Sequence, residues 1–150
     1  MTQRNAPRTA ALMSTPEDIE AQFYEALQRG EIDRLMEVWS DDEDIVCVHP
    51  GGPRIVGSEA IRATFDSIFA NGPIPVRPER LRAVTTGHCA VHSVVERVDV
   101  QTDEGITSAF VIATNVFIKT DKGWRLVAHH ASPGSPREVQ EVTEAPSVLH

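Results

Sequence analysis

Apolar residues recur at helical spacing in three stretches of the first half of the chain. The first stretch starts at residues 15–18, Thr-Pro-Glu-Asp, which supply an N-cap side chain, a proline at the first helical position and acids in the first turn. Gly30 is suited to end this helix, and Ser58 is expected to cap the third. The apolar stripes of the three predicted helices are Ile19, Phe23, Ala26 and Leu27, then Ile32, Leu35, Met36 and Trp39, then Ile61, Phe65, Ile68 and Phe69.

The second half of the chain changes to the period of two that is typical of β-strands. Alternating runs at residues 81–85, 89–100, 107–119 and 124–132 are separated by short turns. Strands joined in this way most simply form an antiparallel meander. Ahead of them, residues 45–48 are a β-branched and apolar run that predicts a further, buried strand.

The order of elements predicts an α+β fold, with about three helices packed on one side of a strongly curved, mostly antiparallel sheet. We expect one domain at residues 15–133, between a flexible N-terminal arm (1–14) and a mobile C-terminal tail (134–150) with a short helix near residues 137–144. Both faces of residues 109–118 are largely apolar. The outer face of the sheet is therefore a candidate dimer interface.

Composition excludes several classes of protein. The chain has 150 residues and a net charge of −8, which argues against binding to nucleic acid or to an anionic membrane surface. It carries no apolar run of membrane-spanning length and no secretory h-region. Cys47 and Cys89 lie in apolar strands and form no Cys-x-x-Cys pair, so two reduced thiols in a cytoplasmic protein are expected.

His49 is the first candidate for chemistry because it stands at the end of the buried strand, where Pro50-Gly51-Gly52 must reverse the chain. Strand ends beside loops are common places for catalytic groups. The residues leave two interpretations open: a general base or hydrogen-bonding group in a pocket, and a histidine that holds the turn.

Four stretches give the chain its resemblance to a known family: residues 23–31, residues 39–42, residues 48–52 together with 57–62, and residues 123–132. In these stretches it resembles the SnoaL-like branch of the nuclear transport factor two-like superfamily, which includes ketosteroid isomerase. The resemblance implies a cone-shaped α+β barrel with a ligand-binding cavity, usually as a homodimer. The superfamily contains isomerases, cyclases and dehydratases, and also binding or assembly modules without catalytic activity.

Comparison with ketosteroid isomerase singles out two positions. That family places a general-base aspartate directly before a proline at the end of the first strand, where this chain has His49 before Pro50. Its oxyanion-binding tyrosine would fall at Phe23, with Tyr24 about 100° further around the helix. The match thus implies a base at His49 and leaves the oxyanion partner without a counterpart, which argues against steroid isomerase activity.

His129 and His130 must point to opposite faces of the last strand. His130 alternates with Trp124, Leu126 and Ala128, so it is the one expected to face the cavity and to assist catalysis. No spacing typical of a metal site occurs, and neither a metal nor a cofactor is expected.

Further pocket residues are candidates with an ordinary alternative. Arg54 could bind an enolate or carboxylate, or pair with the acids at residues 41–44. Asn115, an amide within an apolar strand, must satisfy a buried network or contact a ligand. Glu96 would act as an acid if buried, although a solvated glutamate on the outer face is favoured. The expected wall of the pocket is Phe23, Trp39 and Trp124.

These observations lead to two hypotheses of function. The first is a protein that binds a small hydrophobic carbonyl compound and, if catalytic, moves a proton within it without a cofactor, as in isomerases, cyclases and dehydratases. The second is a dimeric binding or assembly module of the same fold without turnover.

Overall fold

Three helices and six strands make up the part of the chain that the computed structural model describes, residues 14–134 and 141–143. Their bounds are α1 Pro16–Arg29, α2 Ile32–Glu37, β1 Val46–Val48, β2 Arg54–Val56, α3 Ser58–Phe69, β3 Val76–Thr85, β4 Cys89–Thr102, β5 Gly105–Thr120 and β6 Gly123–Pro133.

The strands form one open sheet in the order β2-β1-β6-β5-β4-β3. Neighbouring strands are antiparallel, except that β1 lies parallel to β6. The helices pack on one face of this sheet, and their apolar stripes form the main core with its inner side chains. The predicted α+β class, with helices on one side of a mostly antiparallel sheet, is confirmed.

The ends of α1 follow from its sequence. The Thr15 hydroxyl accepts a hydrogen bond from the Asp18 amide at 3.2 Å, and the Asp18 carboxylate accepts one from the Thr15 amide at 3.0 Å. Gly30 ends the helix in the left-handed conformation, with φ of 66°. The expectation for α3 was wrong by one residue, because Gly57 is the N-cap and Ser58 begins the helix without a side-chain cap.

A β-bulge in β6 decides which of its side chains face inward. Val116 pairs with Ala128 but the next residue, Phe117, pairs with Leu126, so Val127 is an extra residue in the ladder. One extra residue reverses the alternation of faces beyond it. Leu126 is therefore buried before the bulge, and His129 is buried after it.

The long strands extend further than their alternation indicated. β3 starts at Val76 instead of residue 81, and it accommodates Pro78 because it is an edge strand. Of the predicted tail, Gly134 and residues 141–143 are described, and 141–143 are not helical. The remainder of the predicted 137–144 helix and the arm at 1–13 lie outside the described residues. Within the described ranges, no helix is long and apolar enough to cross a membrane.

The outer face of the sheet carries a continuous row of small aliphatic side chains, one from each strand. Successive strand pairings align the members of this row side by side. Three of them are exposed, Val84 at 72%, Val56 at 45% and Val91 at 40%. We call this the outer valine row: Val56, Val46, Ala128, Val116, Val91 and Val84.

Candidate functional site

A cavity of about 150 Å³ lies between the inner face of the sheet and the helices α1 and α3. Most of its wall is apolar, and three polar side chains reach it: His49, Glu96 and His129. The lining residues are Phe23, Leu27, His49, Pro50, Phe65, Ile74, Val76, Glu96, Val98, Val111, His129 and Ala131.

The turn after β1 places His49 at the cavity. The Gly52 amide donates to the His49 carbonyl at 2.8 Å, and Gly51 has φ of 73°, which a glycine adopts without strain. The ring packs edge-on against Phe65, with centroids 5.1 Å apart. Its Nε2 lies 3.9 Å from the Cys47 sulfur. Burial lowers the pKa of His49, so the imidazole is neutral at pH 7.

Glu96 is buried in the middle of β4, with 7% of its surface exposed. The Tyr24 hydroxyl donates to its Oε2 at 2.7 Å. Burial raises the pKa of Glu96 to about 7; the Tyr24 hydrogen bond opposes this shift and the charge of Glu20 adds to it. The carboxyl can therefore both accept and donate a proton near neutral pH. The expectation of a solvated glutamate on the outer face was wrong.

Asn115 lies behind the cavity and connects the polar groups. Its Nδ2 donates to Glu20 Oε2 at 2.9 Å and to the Tyr24 hydroxyl at 3.1 Å. Its Oδ1 accepts a hydrogen bond from His129 Nδ1 at 2.5 Å. Asn115 is fully buried and absent from the cavity wall. Of the two alternatives that the sequence left open, the structure therefore places it in a buried network.

His129 is 4% exposed and lines the cavity. Its Nε2 lies 3.9 Å from Glu96 Oε2, which is too long for a hydrogen bond. Burial lowers the pKa of His129 to about 3, helped by the neighbouring His49 and His130. His129 is therefore a neutral imidazole at the pH at which Glu96 titrates.

The network extends away from the cavity to His92, a fully buried residue of β4. His92 Nδ1 approaches Glu20 Oε1 to 3.0 Å, yet both ring nitrogens lack an aligned hydrogen bond to the described residues. The two facts are compatible, because the approach has ion-pair distance without hydrogen-bond direction. We call the whole set the buried polar network: Glu20, Tyr24, His92, Glu96, Asn115 and His129.

Two expected site residues lie away from the cavity. His130 is exposed on the outer face, because the bulge at Val127 exchanges the faces of the two histidines. The expectation that His130 faces the cavity was therefore wrong, and His129 takes that place. Arg54 is exposed on the edge strand β2 and makes no ion pair with a described residue, while Asp41 pairs with Lys122 at 3.0 Å.

The three expected wall residues have different positions. Phe23 lines the cavity as expected. Trp39 is buried behind it, with ring centroids 6.4 Å apart, and contributes to the core instead of to the wall. Trp124 is also buried in the core and absent from the cavity wall.

Tyr24 and Glu20 belong to the site although the sequence did not single them out as such. Both lie on the buried face of α1, where Glu20, Phe23, Tyr24 and Leu27 follow the spacing i, i+3, i+4 and i+7. The sequence signal that could have found Glu20 is its place in the apolar stripe of α1, where an acid is unexpected. Burial raises the pKa of Tyr24, so its hydroxyl stays protonated and acts as a donor to Glu96.

Within the described ranges, no group of three or more His, Cys, Asp or Glu side chains is arranged to hold a metal ion. Cys47 and Cys89 are both free. Burial raises the pKa of Cys47 to about 12, so this residue is a thiol and a poor nucleophile.

Comparison with known proteins identifies a family model described as a SnoaL-like domain, which matches residues 17–136. Among solved structures, a "putative calcium/calmodulin-dependent protein kinase type II association domain" from Thiobacillus denitrificans is 30% identical, covers 83% of this chain and 98% of its own, and has a TM-score of 0.74. A "putative dehydratase from the NTF2-like family" of Streptomyces avermitilis is 29% identical, with coverage of 79% and 94% and a TM-score of 0.69. The CaMKII hub of S. rosetta, at 18% identity, coverage of 82% and 100% and a TM-score of 0.64, shares the fold. No curated protein matches the sequence.

Proposed function

Since the chain belongs to the SnoaL-like family, we propose that its cavity binds a small, mostly apolar carbonyl compound and moves a proton within it without a cofactor. The observation that supports this most is Glu96, a buried carboxyl at the cavity with a pKa of about 7. A group with such a pKa can take a proton and return it at neutral pH. The two free cysteines fit a reducing compartment such as the cytoplasm.

The dimensions of the cavity restrict the ligand. A cavity of about 150 Å³ is the size that holds benzene. A ligand of about six to nine non-hydrogen atoms fits this volume, whereas a steroid is far too large. No lysine or arginine is among the described residues of the wall, so the cavity suits an uncharged compound better than a carboxylate.

The polar groups suggest a division of roles. Glu96 takes a proton from the carbon next to the carbonyl group, and the electrons of the broken C–H bond form an enolate. His49, which we expected to be the base, is neutral and can donate an N–H hydrogen bond to the enolate oxygen. The Nδ1–H of His129 already bonds to Asn115, which leaves His49 as the neutral imidazole with an N–H to offer. Glu96 then returns the proton.

Exchange of α-protons for deuterium tests this proposal without knowledge of the natural product. The protein would be incubated in D₂O with cyclohexanone, cyclopentanone and 3-pentanone, and the loss of α-proton signal followed by ¹H NMR. We expect exchange above the buffer rate with at least one ketone. Glu96→Gln should slow it by about 10²–10⁴-fold, the usual contribution of a general base.

His130→Gln is the matched control, because His130 lies on the outer face and should exchange at the wild-type rate. Exchange at the buffer rate with every ketone would contradict proton transfer on such compounds. Equal rates for wild type and Glu96→Gln would remove Glu96 from the reaction.

The outer valine row favours a second candidate, an assembly module that forms a homodimer through the outer face of the sheet. Exposed aliphatic side chains that cross a whole sheet are unusual on a monomer. The likeness to a structure described as a kinase association domain supports this candidate as well. The two candidates are compatible, since they use opposite faces of the sheet.

A further inference from the structure

The orientation of the Asn115 amide is determined by its neighbours. Its nitrogen lies 2.9 Å from a carboxylate oxygen of Glu20 and 3.1 Å from the Tyr24 hydroxyl. The reverse orientation would place the amide oxygen against the Glu20 carboxylate, with two acceptors facing each other. Glu20 therefore fixes the amide, and the amide oxygen must face His129.

This orientation fixes the tautomer of His129. An amide oxygen can only accept, so the proton of the neutral imidazole must be on Nδ1, which lies 2.5 Å from Asn115 Oδ1. Nε2 then carries a lone pair. His129 is part of the cavity wall, and this nitrogen is directed to the side of Glu96, 3.9 Å from its Oε2.

The cavity thus presents an acceptor beside its general base, and a simple ketone offers nothing to that acceptor. We propose that the natural substrate is a hydroxy carbonyl compound whose hydroxyl donates a hydrogen bond to His129 Nε2. The short separation from Glu96 places this hydroxyl on the carbon that loses the proton or on its neighbour. The inference rests on the proposed function and names its substrate class, and it makes Asn115 a positioning residue.

The tautomer can be measured without any ligand. In protein labelled with ¹⁵N-histidine, a long-range ¹H–¹⁵N spectrum distinguishes protonated from unprotonated ring nitrogens, and His129→Phe identifies the His129 signals. We expect Nδ1–H with a bare Nε2, unchanged between pH 5 and pH 8. Asn115→Ala removes the acceptor and should lose this form. A proton on Nε2 in the wild type, or the same tautomer in both proteins, would overturn the argument.

The substrate class is tested with two compounds that differ by one group. 1-Hydroxy-2-butanone and 3-pentanone have the same size, with a hydroxyl replaced by a methyl group. Chemical-shift titration of the wild type should give a Kd about three- to tenfold lower for the hydroxy ketone, the value of one neutral hydrogen bond. His129→Phe should abolish this preference, and His130→Phe should retain it.

Equal affinity of the wild type for both compounds, or a preference that survives in His129→Phe, would overturn the inference. This outcome is separate from failure of the proposed function. Exchange without a hydroxyl preference would leave Glu96 as base and remove only the substrate class. A preference without exchange would support the ligand and contradict proton transfer.

Discussion

In an α+β protein with one layer of helices on one sheet, the inner face of the sheet is usually apolar and the outer face polar. Here each face carries groups of the opposite kind. The inner face, covered by helices, carries the buried polar network and the cavity. The outer face, which no described helix covers, carries the outer valine row. Polar groups inside cost free energy unless they are paired, and apolar groups outside gain little unless they are covered. The two proposals rest on this difference, with proton transfer assigned to the inner face and a homodimer contact to the outer face.

Asn115 and Thr114 are adjacent in β5 and point to opposite faces of the sheet, so substitutions there compare the two faces directly. Asn115→Leu removes three buried hydrogen bonds, one each to Glu20, Tyr24 and His129, so we expect a loss of about 4 kcal/mol in the free energy of unfolding. Thr114→Leu, on the outer face of the same strand, should change it by less than about 0.5 kcal/mol. Urea denaturation measures both, and equal losses would contradict the contrast.

Glu96→Gln should change how the free energy of unfolding depends on pH. Because the folded-state pKa of Glu96 is raised from 4.5 to about 7, the native state binds its proton more tightly than the unfolded state does. Wild-type stability should therefore fall, through this group, as pH rises from about 4.5 to 7. Above that range the penalty is about 3 kcal/mol.

Glutamine resembles the protonated acid and does not titrate. The stability of Glu96→Gln relative to the wild type should therefore increase over that pH range. The opposite trend from His129, whose folded pKa is lowered to about 3, occurs in both proteins and cancels in the difference. A stability difference that is constant from pH 4 to pH 9 would show that folding does not raise the pKa of Glu96.

The smallest effect on the fold is expected on the outer face. Val91→Lys, between Val116 and Val84 in the outer valine row, should change the free energy of unfolding of the monomer by less than about 0.5 kcal/mol. It should nevertheless dissociate a dimer, as sedimentation velocity would show. Val100→Lys is the matched control, another exposed valine of β4 but outside the row. A monomeric wild type, or equal behaviour of both variants, would contradict the assembly candidate.

The elements of the fold were predictable because each depends on local signals. The Thr15 cap, Gly30 and the change of period near residue 81 are properties of neighbouring residues. The position of His49 at the cavity follows in the same way from the Pro-Gly-Gly turn. The role of His49 as a hydrogen-bond donor to the ligand and that of Phe23 as part of the ligand's pocket wall are proposals.

The rest of the site depends on contacts between distant elements. The bulge at Val127 depends on the pairing of β5 with β6. It turns His129, instead of His130, to the inner face of the sheet. The sequence favours the outer face for Glu96, because nothing near this residue shows that Tyr24, 72 residues away, is its partner. The network of Glu20, Asn115 and His129 joins a helix to two strands, and alternation along one element cannot reveal it.

The proposed proton transfer depends on Glu96 being a buried carboxyl that titrates near neutral pH beside the cavity. The most direct measurement is a ¹³C NMR titration of the glutamate side-chain carboxyl carbons, with Glu96→Gln to assign the signal. We expect one signal, missing in the variant, to titrate with a pKa of about 7. A Glu96 signal that titrates near 4.5, with the exposed glutamates, would contradict it.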